Sequence, residues 1–258
     1  MNMLVTLAII LFLLMIVIGG KQGLRSFIAI FLNLFVLLLT ILFMTAPNAD
    51  PILLTLIACA VVSCINLFYI NGLNSKTITA FIATIITTVI LLLFIIIITE
   101  NTMIQGFGKE EIDELTVFSL HLGVDFVKIG AAVVIMSTIG AITDVAISIS
   151  SPLREIYIHN HNINRRDLFL AGISIGKDIL GTSTNTLFFA FFGAYLGLLI
   201  WFKELSYSIG EIANSKVFVA EMITILSAGI GVALIIPITS WITAYSLTKS
   251  GNKSKDTE

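Results

Sequence analysis

The chain is expected to be all-α, a polytopic transmembrane bundle of about seven spans with a broken or re-entrant sixth helix and a short outer interfacial helix. Two observations predict this class. Hydrophobic residues make up 57% of its 258 residues and charged residues only 12%, far from the roughly 25% charged residues of ordinary soluble domains. Mean hydropathy is +1.05, and uninterrupted apolar runs recur. Each is long enough to cross about 30 Å of hydrocarbon at about 1.5 Å per residue.

The spans are drawn at about 3–18, 26–46, 51–70, 77–99, 125–149, 182–202 and 217–247, followed by a short polar tail at 249–258. The first ends at Gly19-Gly20-Lys21 without a small-residue cleavage site and reads as a retained helix rather than a leader. The connections alternate in charge. Lys21, Arg25, Lys76, Arg154, Arg165, Arg166, Lys177, Lys249, Lys253 and Lys255 collect on one side; Asp50, Glu100, Glu110, Glu111, Asp113, Glu114, Glu204 and Glu211 lie on the other. The positive-inside rule then places the N-terminus outside and the C-terminus in the cytoplasm. Within the acidic loop between spans four and five, Ile112, Leu115, Phe118 and Leu122 recur at helical spacing. A short helix lying on the outer membrane face is expected there.

Span five carries the most informative residue, Asp144, inside a run that is otherwise apolar. An aspartate at the centre of a membrane helix is unfavourable by roughly 2.5–3.5 kcal/mol and normally faces protein or a watery cavity. Ser137, Gly140 or Ala141, Asp144, Ser148 and Ser151 recur at helical spacing, so the helix has one small-and-polar stripe. Such stripes serve helix packing, which accounts for the glycine and serines. A carboxylate requires more, either an ionisable site or a structural hydrogen-bond acceptor.

The sixth apolar segment runs from Asp167 to Phe202, about 50 Å as one helix and too long for a single crossing. Gly176-Lys177-Asp178-Ile179-Leu180-Gly181-Thr182-Ser183-Thr184-Asn185-Thr186 is where a break is expected, with 168–180 interfacial, re-entrant or part of a discontinuous span. Ser174, Asp178, Thr182 and Asn185 or Thr186 form a second polar stripe. Oxygen groups beside carboxylates suit hard cations or proton relays; Lys177 offers Asp178 a simpler pairing. On span seven, Glu221 is a weaker candidate near the outer end.

No metal or cofactor is expected. Cys59 and Cys64 fall on different helix faces, and His159 and His161 have no third ligand nearby in sequence. The nucleophile-elbow, zinc-protease, phosphate-loop and dinucleotide-binding motifs are all missing, so enzymatic activity is not expected, and nucleic acid is not an expected partner.

The stretch Gly140 to Ser151, followed by Gly176 to Leu187, resembles the signature of the YibE/F-like bacterial membrane proteins. Gly19-Gly20-Lys21-Gln22-Gly23-Leu24-Arg25, Asn214-Ser215-Lys216, Glu221, Gly229-Ile230-Gly231 and Pro237 fit the same pattern over almost the whole membrane region. Lys216 departs from it, since the pattern commonly has an acidic residue there. The resemblance implies a multi-pass plasma-membrane protein of the shorter partner type, in contact with the bilayer and working with a longer relative or as a homo-oligomer. The expected function is a permease or ion-coupled transporter, with Asp144 and Asp178 facing each other across a cavity lined by Ser148, Thr182, Thr184, Asn185 and Thr186. Glu221 and Ser151 are secondary candidates. The alternative is a non-transporting scaffold, in which the stripes are helix contacts.

Overall fold

The structure is a computed structural model that describes residues 3–46, 49–102 and 126–255. The described secondary structure is helical throughout: α1 (Met3–Met44), α2 (Pro51–Cys64, continued by a π-helical turn at Ile65–Tyr69), α3 (Ser75–Thr102), α4 (Phe126–His159), α5 (Arg165–Ala194), α6 (Leu196–Glu204), α7 (Ile209–Asn214) and α8 (Lys216–Lys255). Five of these are long and apolar enough to cross a membrane, or six if α5 and α6 count as one bent span. The expected outer helix around 109–122 lies outside the described residues.

α1 turns back on itself. Gly20 has φ 54° and ψ −131°, a backbone state that side chains disfavour, and the rings of Phe12 and Phe27 lie 4.8 Å apart. A straight helix would separate them by about 22 Å. A Cβ at Gly23 would strike the carbonyl oxygen of Met15, so this glycine is where the two arms meet. The two arms overlap the first two drawn passes, 3–18 and 26–46.

α3, α4, α5 and α8 form the packed centre, with α2 on the flank of α4 and α1 on α2. The core is mainly apolar, including Leu91, Ile95, Ile135, Ile142, Ile149 and Ile235. Threonines join it, some with hydroxyls that donate back along their own helix, as Thr88 does to the Thr84 carbonyl at 2.8 Å and Thr99 to that of Ile95 at 2.9 Å. The hydroxyls of Thr84, Thr87, Thr239 and Thr243 are buried without a partner among the described residues. Close approach between helices comes from glycine. A Cβ at Gly231 of α8 would lie 2.8 Å from Leu91 Cδ1 and 3.0 Å from Ile142 Cδ1.

Polar contacts tie the two ends of the bundle separately. At one end Gln22 donates to Asn71, Lys76 to Ser151 and Arg165 to Thr248. At the other, Lys128 pairs with Asp50 and Tyr195 donates to Glu221. Each pair joins segments that the charge pattern assigns to one side.

Three boundaries differ from expectation. Span five continues past 149 through Pro152 to His159; proline is tolerated in packed membrane helices because neighbouring groups re-satisfy the freed carbonyl. The polar tail is not separate, because α8 runs on to Lys255. The largest correction concerns the sixth span. Gly176 to Thr186 does not break the helix, and 168–180 belong to unbroken α5. Gly172 and Gly176 serve packing instead, since a Cβ at Gly172 would meet Ser240 and one at Gly176 would meet Ile236, whereas Gly181 has open space. The break falls at Tyr195 (φ −104°, ψ 14°), where α6 departs from α5 by 50°.

Candidate functional site

The position of Asp144 follows from the register of α4 against α8. Ile142 packs at Gly231 of α8, and farther along α8 Ile236 packs at Gly176 of α5. α5 runs antiparallel to α8, as Gly172 beside Ser240 and Thr184 beside Gly229 show, and α4 runs parallel to it, because Ile142 lies at Gly231 and Leu153 at the level of Gly172 and Ser240. Asp144 lies about half a turn beyond Ile142 toward the level of Ile236, and Asp178 about half a turn beyond Gly176 toward that of Gly231. The two carboxylates therefore share one depth, between those levels. A separation of two residues is also about 200° around a helix. Both aspartates thus point away from α8, on adjacent helices that approach where Leu153 lies beside Gly172.

The expected stripes are real faces. Ser137, Asp144 and Ser148 on α4, and Ser174, Asp178, Thr182, Asn185 and Thr186 on α5, are all exposed. The expected arrangement across a cavity is not what these faces make. They look outward side by side, because the opposite faces of both helices are taken up by α8. Thr143 reaches Ser63 of α2 at 3.4 Å, so the α4 stripe runs between α2 on one flank and α5 on the other. Lys76 donates to Ser151 at 3.1 Å, marking the level where α3 begins; Asp144 lies about 10 Å, roughly two turns, farther into the bundle.

Two hydroxyls of the α5 stripe have already used their protons. Thr182 donates to the Ile179 carbonyl at 2.9 Å and Thr186 to that of Thr182 at 2.9 Å. What they turn outward is oxygen lone pairs. Among the described residues neither Asp144 nor Asp178 has a hydrogen bond or ion pair, so Lys177 does not neutralise its neighbour. The two carboxylates and these hydroxyl oxygens are acceptors, a chemistry suited to cations, protons or hydrogen-bond donors, and Asn185 adds an amide that both donates and accepts. No three His, Cys, Asp or Glu side chains converge among the described residues, so a tightly held metal would need further ligands from elsewhere.

Three expected members stand apart. Thr184 is turned toward α8, its methyl against Gly229, and donates to the Leu180 carbonyl at 2.7 Å. Ser151 is engaged by Lys76 at the end of its stripe. Glu221 accepts from Tyr195 Oη at 2.7 Å, roughly 15 Å along α8 from Gly231, and fastens the bend between α5 and α6. Sequence reasoning passed over a different polar pair, Asn33 and Asn66, whose amides meet at 2.8 Å and join α1 to the π-helical turn after α2. The available signal was the one used for Asp144, a polar residue alone in an apolar run.

A family model described as YibE/F-like protein matches residues 7–249. No curated protein and no solved structure matches the chain.

Proposed function

The chain belongs to the YibE/F-like family, and from that premise we propose that it is the membrane subunit of a permease or ion-coupled transporter. The observation that carries this reading is the pair of carboxylates, Asp144 and Asp178, at one depth on an outward face lined with acceptor oxygens. A carboxylate turned toward lipid is costly, so the face is covered in the working assembly, either by a longer relative or by a second copy of the chain. Ser148, Thr182, Asn185 and Thr186 then line a hydrophilic path along the subunit boundary. A cation or proton held between the carboxylates supplies the coupling. The protein carries out no covalent chemistry; it sits in the plasma membrane of a bacterium with its N-terminus outside.

Reconstitution into proteoliposomes tests this. A proton or sodium gradient is imposed and flux is followed with an internal pH dye and with radioactive sodium. Asp144→Asn and Asp178→Asn are expected to lower coupled flux at least tenfold at unchanged protein incorporation. Full flux in both Asp144→Asn and Asp144→Ala would remove this aspartate from the mechanism.

A scaffold is the second reading, favoured by the outward direction of both stripes. It requires that cysteines at Ser137 and Thr182 cross-link to a partner while every flux signal stays at the level of empty liposomes.

A further inference from the structure

Beside the α4 stripe, a cleft of about 440 Å³ lies between α1, α2 and α4. Apolar side chains of α1 and α4, Ile41, Met44, Ala132, Val133 and Met136 among them, supply most of its walls. Four hydroxyl residues also line it, Thr40, Thr45, Thr55 and Ser137. None has a proton to offer. Thr40 donates to the Val36 carbonyl at 2.8 Å, Thr45 to that of Leu42 at 2.7 Å, Thr55 to that of Pro51 at 2.7 Å and Ser137 to that of Val133 at 2.9 Å. A polar solute entering the cleft would give up hydration with no donor in return. A hydrocarbon chain loses nothing there.

The surroundings identify the source of such a chain. α1, α2 and α4 are of membrane-spanning length and composition. Ile41 and Val133, both on the cleft, are 50% and 53% exposed, so it opens sideways into the hydrocarbon layer. One end lies where α2 and α4 begin, beside the exposed Lys128–Asp50 ion pair at 3.0 Å. From Ile129 to Ser137 the cleft descends about 12 Å along α4.

We infer that this cleft is a binding site for one acyl chain of a membrane phospholipid, entering beside the Lys128–Asp50 pair and ending against Ser137. The site is independent of the carboxylate face, although Ser137 borders both. The chain fills the gap between α4 and the peripheral α1–α2 unit, and so ties that unit to the bundle.

The protein is assembled in phosphatidylcholine nanodiscs containing a trace of phosphatidylcholine with a mid-chain diazirine. After irradiation, adducts are mapped by mass spectrometry. Met44 and Met136 are expected to be labelled several-fold more than Ile90 and Ile97 on the lipid-facing side of α3. Val133→Phe and Ser137→Phe, which fill the cleft, should each remove that excess and leave the α3 adducts in place. Asp144→Asn should leave the excess unchanged, which separates this site from the proposed transport site. Uniform labelling in the unaltered protein, or an excess that survives both phenylalanine variants, would overturn the inference.

Discussion

Asp50 acts twice at the start of α2. Its Oδ1 accepts from the backbone N–H groups of Ile52 and Leu53, and its Oδ2 accepts from Lys128 on α4. The Lys128 hydrogen bond is the largest influence holding its carboxyl below the ordinary aspartate range. A carboxylate depressed in the folded state contributes stability above its unfolded pKa, and that contribution disappears as pH falls through the folded value. Asp50→Asn keeps an N-cap acceptor and loses the ion pair, which at this exposure contributes about 0–1 kcal/mol. Asp50→Ala also loses the cap, about 1 kcal/mol more. Thermal melts in detergent at neutral pH should therefore rank the unaltered protein above Asn and Asn above Ala. The gap between the unaltered protein and Asp50→Asn should close at acid pH; a gap that stays constant would show that the charge contributes nothing. Sequence alone made Asp144 conspicuous through the cost of a charge among isoleucines and valines. It could not reveal that Ile142 turns to Gly231, and that contact fixes both the depth and the direction of the aspartate. The Asp50–Lys128 pair was equally hidden, because its partners are far apart in the chain and meet only when α2 packs on α4.

At the scale of an element, α5 separates what composition reveals from what packing decides. Its polar stripe was legible because helical periodicity survives in any helix. Its continuity was not. Glycines beside a lysine and an aspartate read equally well as a break and as a close-packed face, and only α8 chooses between them. Gly172 and Gly176 lie against Ser240 and Ile236, whereas Gly181 has open space around its Cβ position. Gly176→Ala should therefore overpack the α5–α8 contact and cost about 1–3 kcal/mol. Gly181→Ala should be neutral or slightly stabilising, because alanine is the better helix former by up to about 1 kcal/mol. Melting temperatures of the two variants decide the matter. If Gly181→Ala is the more damaging, the glycine run is a hinge after all and α5 bends there. The bend at Tyr195 depends on the Tyr195–Glu221 hydrogen bond and on Phe191, whose ring lies 5.1 Å from that of Tyr195. Only the tertiary fold brings Glu221 to this place.

Across the whole molecule, the alternation of basic and acidic connections was the most informative feature of the sequence, because it is counted along the chain and needs no knowledge of packing. The tertiary contacts follow it. Segments near Gln22, Asn71, Lys76, Ser151, Arg165 and Thr248 meet at one end of the bundle, and Asp50, Lys128, Tyr195 and Glu221 meet toward the other. The arrangement is consistent only if α1 makes two passes, which the reversal at Gly20 allows. Which end faces the cytoplasm is the part of our proposal that rests on charge alone, the positive-inside rule assigning it to the basic end. Cysteine labelling tests span count and orientation together. In a background with Cys59 and Cys64 replaced by alanine, single cysteines are introduced at Thr45, Asn74, His161 and Ser206. A membrane-impermeant maleimide applied to intact cells should label Thr45→Cys and Ser206→Cys, and should reach Asn74→Cys and His161→Cys only after permeabilisation. Labelling of the opposite pair would invert the protein in the membrane and leave the fold intact. Labelling of Asn74→Cys and His161→Cys on different sides would be incompatible with the paired ends. The α4 and α5 carboxylates could then no longer share one depth, and the proposed transport site would fall with the topology.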